Sequence, residues 1–472
     1  MRLSDILNLF RDYLVLGIVL MIVAALVIAV GYFGIYKKLC KGKHEIKFKS
    51  LFWWIMLIFY LFVVLSITLF RSSVFQNGRI ISFFYSYKEA WISASEVAWR
   101  NIILNILMFV PLGFWLPVGK ERFRVFWKTY LVGFLLTVVI EGLQLILSLG
   151  LFEVADLFNN ALGTMIGYGL YKIVEYVILL FKKEKPKFSH MLIGQIPFVL
   201  TVCMFTGIFW AYQKQELGNL LIECISPYPK DAFDITINGE YKDADGMAMV
   251  YQTKNFTIEE TEVFAKIFFE NLGSKLDETR NDAYENMAFY WSEDRYNIVI
   301  NYQGGTYEMK DYDLLFPKEG AEEPLKVEDA TKEEVLQALA RYGIELPEGV
   351  FFSYDSEMGY VFTAERIEWK GSIYDGELTC EYFNNGKFST ISNGIKKLEV
   401  YKEFEIRSEK EAFEQIVDGK FIGYVSLGDK IEMGHVSIGY LMDTKGFYQP
   451  IYSFNANVNG EEIQIQIPAI EK

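Results

Sequence analysis

Three pairs of polar residues interrupt stretches of the chain that are otherwise apolar. The pairs are Asn101 with Asn105, Glu141 with Gln144, and Asp156 with Asn160. Spacings of three or four residues place both members of a pair on one face of a helix. Carboxyl groups in such positions can act as general acids or bases, and amides can orient a polar ligand. Arg100, beside the first pair, is the only strong cation nearby.

Six apolar runs approach the ~20 residues that are needed to cross a bilayer. They occupy about 13–36, 51–70, 101–118, 129–149, 157–181 and 191–212. We therefore expect a polytopic α-helical membrane bundle of about six transmembrane helices in residues 1–213. The first run is long for a signal peptide and lacks a small-residue cleavage site, so we interpret it as a retained span.

The charges indicate how the chain is oriented. Residues 1–213 carry a net charge of +10, whereas residues 214–472 carry −24. The loops after the first, third and fifth runs hold fourteen Lys and Arg residues, against six on the opposite side. Because loops rich in Lys and Arg stay in the cytoplasm, the sequence predicts that both termini and the acidic region lie outside.

With this orientation, the polar pairs fall in the outer half of the bilayer, at depths estimated from a rise of about 1.5 Å per residue. Ionised groups are costly in hydrocarbon, so they face the bundle interior and find partners. Two interpretations stay open. One is a structural network that locks three helices together, and the other is a ligand or catalytic pocket open to the outer leaflet. Asp156 could also be a solvated N-cap of its helix.

Two further features concern helix packing. Phe109, Pro111 and Gly113 place a helix breaker in the middle of the third run, and the resulting kink could line a cavity or be purely structural. Gly163 and Gly167 belong to a stripe of small residues in the fifth run. Such a stripe is more typical of a close-packing helix face than of a phosphate-binding loop.

The ordered motifs resemble the VanZ-like membrane family over roughly residues 50–180. The motifs are Asn101-x3-Asn105-x3-Phe109-x-Pro111-x-Gly113, then Glu141-x2-Gln144, then Asp156-x3-Asn160-x2-Gly163-x3-Gly167-Tyr168. The resemblance implies a bacterial plasma-membrane protein with a role in the response to teicoplanin, a glycopeptide antibiotic, and it names no reaction. Gly150 stands where many relatives have an Arg, so any function of that Arg is in doubt unless Arg100 substitutes for it.

The acidic region contains three similar helix signatures. They begin at Thr257, Thr331 and Ser408, and each has Glu three residues on and Gly at its end, which is a capping box followed by a C-cap. Alternating strand-like runs with Asn-Gly turns separate them. We expect an extracytoplasmic α+β domain of repeated modules, each with one helix on an antiparallel sheet, module 1 in 214–330 and modules 2 and 3 in 331–472. The C-terminal end is similar to PepSY-like and YycH/YycI-type domains, which implies binding or sensing.

Sparse cysteine and histidine limit the chemistry. Cys224 and Cys380 both lie in the acidic region, and the sequence leaves open whether they form a disulfide. The three histidines are scattered, so we predict no metal site, no cofactor and no nucleophile–base pair. An acidic domain disfavours nucleic acid and favours cations or cationic peptides.

Two functions follow as hypotheses. The first is a non-enzymatic envelope protein whose membrane unit binds or shields a lipid-linked cell-wall precursor or a lipoglycopeptide, while the outer domain recognises an envelope protein. The alternative is an intramembrane enzyme acting on a lipid-linked peptidoglycan precursor, with Glu141 or Asp156 as general acid or base.

Overall fold

The computed structural model describes most of the chain. The described residues are 48–69, 80–81, 83–147, 152–230, 232–317, 324–423 and 425–471. The predicted first span, residues 13–36, and Gly150 lie outside them. The chain divides into two compact units between Glu216 and Leu217.

The first unit is a helical bundle with one short pair of strands. Its helices are α1 (Phe48–Leu69), α2 (Tyr85–Ser93), α3 (Glu96–Gly119), α4 (Phe126–Leu147), α5 (Val154–Phe181), α6 (Phe188–Gly194) and α7 (Ile196–Lys214). The strands β1 (Ile80–Ile81) and β2 (Phe152–Glu153) pair in parallel. Within the described residues, α1, α3, α4, α5 and α7 are long and apolar enough to cross a membrane. A helical membrane unit is thus confirmed. Its five candidate spans correspond to the five predicted runs that fall within the described residues, and the run at 13–36 stays a prediction.

Two helices differ from their predicted spans. The α3 helix begins five residues earlier than predicted, because the Ser95 hydroxyl accepts a hydrogen bond of 3.3 Å from the backbone N–H of Ala98 and caps it. Arg100 therefore lies inside α3. The predicted span 191–212 is divided at Gln195 into α6 and α7. Pro197, near the start of α7, has no N–H with which to continue the hydrogen-bond ladder of α6.

Helices α3 and α5 pack with their backbones in contact. A Cβ atom added to Gly163 would lie 1.9 Å from the carbonyl oxygen of Ile106, and one added to Gly167 would lie 2.0 Å from that of Val110. Gly113 on α3 makes the same kind of contact with the backbone of α5. The glycines thus permit an approach that any larger residue would prevent, as the stripe of small residues predicts.

Residues of α1 and α4 also pack against α3. Pro111 lies inside α3 without ending the helix. Phe109 is fully buried in a core that includes residues of α1, α3 and α4. The hydroxyl of Tyr60 on α1 donates a hydrogen bond of 2.9 Å to the carbonyl oxygen of Met108. The breaker motif therefore sits at a packed contact between helices.

As far as its residues are described, the second unit is built around one sheet of fourteen strands. These are β3 (Asp234–Ile237), β4 (Gly246–Thr253), β5 (Asp282–Ala283), β6 (Met287–Trp291), β7 (Tyr296–Asn301), β8 (Tyr307–Asp311), β9 (Phe351–Asp355), β10 (Gly359–Trp369), β11 (Ser372–Tyr382), β12 (Phe388–Asn393), β13 (Lys396–Ile406), β14 (Lys430–Met442), β15 (Phe447–Val458) and β16 (Glu461–Pro468). The order is β3-β14-β15-β4-β13-β11-β12-β8-β7-β6-β5, with β10 on β11, β9 on β10 and β16 on β15. The β3–β14 pair is parallel.

Within the described part of this unit, four helices accompany the sheet, and three of them are the predicted ones. The helices are α8 (Ile258–Asn271), α9 (Tyr312–Leu315), α10 (Lys332–Arg341) and α11 (Glu409–Val417). Thr257, Thr331 and Ser408 each form the complete capping box, so these three helix starts are confirmed. The glycines that follow α8, α10 and α11 all have a positive φ of about 70–75°, which is the left-handed conformation of a helix C-cap.

The arrangement of three modules with one helix each is not confirmed. Buried residues of α8 and α10 share one hydrophobic core with strands β6 to β12, and α11 packs in a second core with β14, β15 and β16. Strand β8 pairs with β12 across the predicted boundary at 330/331. Cys224 and Cys380 are not bonded to each other, so the disulfide that the sequence left open is not formed.

Candidate functional site

The predicted polar residues meet where α3, α4 and the start of α5 come together. Asp156 lies in the first turn of α5, where the helix dipole stabilises a negative charge. The side-chain amide of Asn105 on α3 donates a hydrogen bond of 2.7 Å to its carboxylate. Asp156 therefore binds α5 to α3 and does not simply cap its own helix.

Glu141 is the most enclosed of the predicted acids. Its side chain belongs to α4, and the residue is only 2% exposed. One carboxylate oxygen accepts a hydrogen bond of 3.2 Å from the backbone N–H of Glu153, the residue before α5. The Glu141 side chain on α4 thus binds the segment that leads into α5.

Two amides extend the network to further helices. The Asn160 amide on α5 donates to the Thr137 hydroxyl on α4 at 2.8 Å, and the Gln144 amide on α4 donates to the Thr68 carbonyl on α1 at 3.0 Å. The structure therefore joins five of the predicted residues into contacts among α1, α3, α4 and α5. They are Asn105, Glu141, Gln144, Asp156 and Asn160.

Helix α2 contributes residues that the sequence analysis did not select. The Tyr87 hydroxyl donates to the side-chain oxygen of Asn159 at 2.5 Å, and the Ser86 hydroxyl donates to the Glu153 carboxylate. Burial, together with the negative charge of Asp156, raises the pKa of Tyr87 to about 12. Asn159 could have been suspected because it adjoins Asn160. The short helix α2 carries no apolar run of membrane length to mark it.

Two buried amide atoms in this network lack a hydrogen-bond partner within the described part of the chain. They are Nδ2 of Asn159, a donor, and Oδ1 of Asn160, an acceptor. Asn159 is 0% exposed and Asn160 is 2% exposed. An unsatisfied buried polar group costs about 1–3 kcal/mol. The network is therefore incompletely satisfied on α5, next to the residues that bind α5 to its neighbours.

Arg100 lies on the wall of a cleft formed by α2, α3 and α7. The cleft has a volume of about 700 Å³ and is lined mainly by apolar and aromatic side chains, among them Trp91, Trp99, Leu107 and Phe209. Glu96 and Gln213 are further polar residues of its wall. Asn101, the adjacent residue on α3, is half-buried one turn before Asn105. The side of α3 that carries Arg100 is thus part of an open surface, while Asn105 is engaged with α5.

The arrangement limits the chemistry of the acids. Glu141 is only 2% exposed, and the half-buried Asp156 accepts a hydrogen bond from Asn105 on α3. Among the described residues, no group of three or more His, Cys, Asp or Glu side chains could hold a metal ion. The open cleft combines an apolar lining with one guanidinium, that of Arg100, and one carboxylate, that of the exposed Glu96, so it suits a ligand with an apolar body and a polar group that Arg100 can bind.

Comparisons with known proteins concern mainly the helical unit. The family model described as VanZ/LLP1 matches residues 54–175. The curated proteins contain no match. Among solved structures, the chain is similar to an uncharacterized protein from Eubacterium rectale ATCC 33656, with 12% sequence identity, 50% of this chain and 87% of that chain covered, and a TM-score of 0.25. That TM-score does not establish a common fold. The family match does not extend to the C-terminal end, so the resemblance of that end to PepSY-like domains stays a prediction.

Proposed function

From the premise that residues 54–175 form a VanZ-like membrane unit, we propose that this protein is a non-enzymatic cell-envelope protein that protects against teicoplanin-type glycopeptides. The membrane unit binds a ligand with an apolar tail and an anionic group at the outer leaflet. The ligand is a lipid-linked cell-wall precursor, which is thereby shielded from the drug, or the lipoglycopeptide itself.

The observation that carries the proposal is the cleft around Arg100. Its volume of about 700 Å³ is within the range of small-molecule sites. Leu107 and Phe209 are 54% and 41% exposed, so they offer apolar surface to a lipid tail. A guanidinium can bind a phosphate or carboxylate in a bidentate manner, which an apolar cleft alone could not do.

The hydrogen-bonded acids have a different role in this proposal. Glu141 and Asp156 hold α3, α4 and α5 in register, so that α3 presents Arg100 to the cleft in one orientation. Interhelical hydrogen bonds of this kind stabilise membrane bundles. A general acid or base would instead have to reach a substrate, and Glu141 is only 2% exposed.

Charge supports an outward orientation of the cleft. Few Lys and Arg residues flank the end of α3 that carries Arg100, whereas the loops between α3 and α4 and after α5 are rich in them. With this orientation the second unit lies outside the cell. Its acidic surface then favours a cationic envelope partner and repels anionic wall polymers.

Drug susceptibility tests the proposal. A deletion strain is complemented with the wild type, Arg100→Gln, or Leu107→Trp, which fills the cleft. Leu131→Trp is the matched control, because Leu131 is a similarly exposed leucine (47%) on α4 that does not line the cleft. We expect protection from a lipoglycopeptide to be lost in both cleft variants and kept in the control, at equal expression.

Binding by the purified protein gives the direct measurement. A lost charge-assisted contact is worth about 1.5–3 kcal/mol, so Arg100→Gln should bind the lipoglycopeptide at least about tenfold more weakly. Equal binding by Arg100→Gln, Leu107→Trp and the wild type would contradict the proposal. Turnover of lipid II or undecaprenyl phosphate that is abolished by Glu141→Gln would replace it with the enzymatic alternative.

A further inference from the structure

We propose a second ligand site at the opposite end of the membrane helices, which binds the phosphate headgroup of an anionic phospholipid. The site is a cavity of about 550 Å³ whose basic lining residues are Arg124, Lys172 and His190. Nothing in the proposed protective function requires this site, so the two proposals stand or fall separately.

The position of the cavity follows from its residues on α4 and α5. Tyr168 and Lys172 line the cavity, and Lys172 lies twelve residues after Asn160, or about 18 Å along the helix axis. Tyr130 lies near the start of α4, whereas Glu141 lies near its end. The cavity and the polar network are therefore at different depths of the same bundle.

A close contact between glycines forms one wall. A Cβ atom on Gly169 of α5 would lie 2.3 Å from the carbonyl oxygen of Gly194, at the end of α6. The Gln195 side chain reinforces this contact by donating a hydrogen bond of 2.9 Å to the carbonyl oxygen of Gly169. The start of α7 is thereby held against α5, and Ile193 and Ile196 face the cavity.

Lys172 lies against two tyrosine rings, and Arg124 is held nearby by a hydrogen bond from one of these tyrosines. The Lys172 ammonium lies 5.4 Å from the centres of the Tyr168 and Tyr171 rings and forms an ion pair of 2.7 Å with Glu175. The Tyr168 hydroxyl donates a hydrogen bond of 2.6 Å to the backbone carbonyl oxygen of Arg124. This bond fixes the backbone of Arg124, whose side chain is 49% exposed and can turn toward a ligand.

The excess of Lys and Arg over Glu around the cavity favours an anionic ligand. Glu175 compensates Lys172, and Glu121 lies 3.7 Å from Arg124. The two segments that flank the cavity, 120–128 and 182–190, nevertheless hold eight Lys and Arg residues against two Glu residues. An excess of this size favours a phosphate-bearing ligand. Basic pockets between helices at the cytoplasmic side of a membrane bind such headgroups.

Apolar surface favours a lipid over free phosphate. Phe126, Ile193 and Ile196 line the cavity and are 56%, 61% and 50% exposed. A soluble phosphate would leave these side chains uncovered, whereas the acyl chains of a phospholipid would contact them. The lining of the cavity therefore fits the junction between headgroup and acyl chain.

Lipid exchange with the purified full-length protein tests the proposal. The protein in nanodiscs is titrated with labelled phosphatidylglycerol and with phosphatidylcholine of the same acyl chains. We expect a preference for phosphatidylglycerol that falls about tenfold in Arg124→Gln, since this substitution removes a charge-assisted hydrogen bond to the headgroup phosphate. Arg122→Gln is the matched control, because Arg122 does not line the cavity, and it should keep the preference. Arg124→Lys should keep part of it.

Two outcomes would overturn the proposal. One is no preference for phosphatidylglycerol, or an equal loss in Arg122→Gln and Arg124→Gln, which would indicate a diffuse effect of charge. The other is displacement of the lipid by millimolar glycerol phosphate, which would identify a site for soluble phosphate. A melting curve of each variant separates lost binding from lost folding, and drug susceptibility of Arg124→Gln should equal that of the wild type.

Discussion

The Asn105 side-chain amide on α3 donates a hydrogen bond of 2.7 Å to the Asp156 carboxylate in the first turn of α5, across 51 residues of sequence. Both residues are half-buried and belong to candidate membrane-spanning helices. The bond joins the two helices whose glycines bring their backbones into contact. The bond therefore lies next to the contact between Ile106 on α3 and Gly163 on α5, at the end of the bundle that carries the polar network.

A double-mutant cycle should detect this bond. We expect Asn105→Ala and Asp156→Ala to show a coupling energy of about 1 kcal/mol, which is typical of hydrogen bonds between membrane helices. The free energy of unfolding in detergent, measured by denaturant titration, gives the value. Asn105→Ala with Gln144→Ala is the control pair and should be additive, since Gln144 bonds to α1. A coupling no larger than that of the control pair would contradict the structure.

Alanine should change the free energy of unfolding differently at two glycines of the membrane unit. In Gly163→Ala the new Cβ would lie 1.9 Å from the Ile106 carbonyl oxygen, so the two helices must separate. We expect a loss of about 1–3 kcal/mol or more in the free energy of unfolding. Gly142→Ala on α4 places its Cβ in open space. It should be neutral, or stabilise by up to about 1 kcal/mol through helix propensity.

The same denaturant titration compares these two variants directly. Both replace a helical glycine by alanine, so they differ in what surrounds the added methyl group. Equal destabilisation by Gly163→Ala and Gly142→Ala would mean that α3 and α5 do not approach as closely as the structure places them.

The capping box of α10 should make stability depend on pH. Hydrogen bonds from the backbone N–H and hydroxyl of Thr331 lower the pKa of Glu334. A carboxyl whose pKa is lower in the folded state stabilises above its unfolded pKa of about 4.3, and the effect is lost as the pH falls through the folded pKa. Thr331→Ala should therefore lower the melting temperature at pH 7 by about 2–4 °C.

Calorimetry of the full-length protein between pH 7 and pH 3 checks this expectation. The difference in melting temperature between the wild type and Thr331→Ala should shrink as Glu334 becomes protonated. A difference that stays constant over the whole pH range would show that the Glu334 carboxylate does not contribute.

Cysteine labelling should establish the orientation of the chain. Cys380 can be retained, because it is 1% exposed and burial raises the pKa of its thiol. With the other cysteines replaced by Ser, we expect a membrane-impermeant maleimide to label Asp245→Cys on intact cells. Lys185→Cys should be labelled after permeabilisation only, because it lies in the basic loop after α5. The reverse pattern would place the second unit in the cytoplasm.

Local features of the sequence determined much of the outcome. Long apolar runs predict five of the described helices, because a helix satisfies its own backbone and needs only length and apolar side chains to cross a membrane. The capping boxes at Thr257, Thr331 and Ser408 are equally local, since donor and acceptor lie three residues apart. The stripe containing Gly163 and Gly167 predicted a close contact, although it did not name the facing helix.

Tertiary structure decided which groups the polar residues contact. Spacing placed Asp156 and Asn160 on one face of a helix, but only packing directs Asp156 to Asn105 on α3 and Asn160 to Thr137 on α4. Packing also places Arg100 in the wall of a largely apolar cleft. It brings α8 and α10 into one shared hydrophobic core. Local sequence sets the conformation and polarity of each segment, whereas a hydrogen bond between distant residues depends on how all segments fill space together.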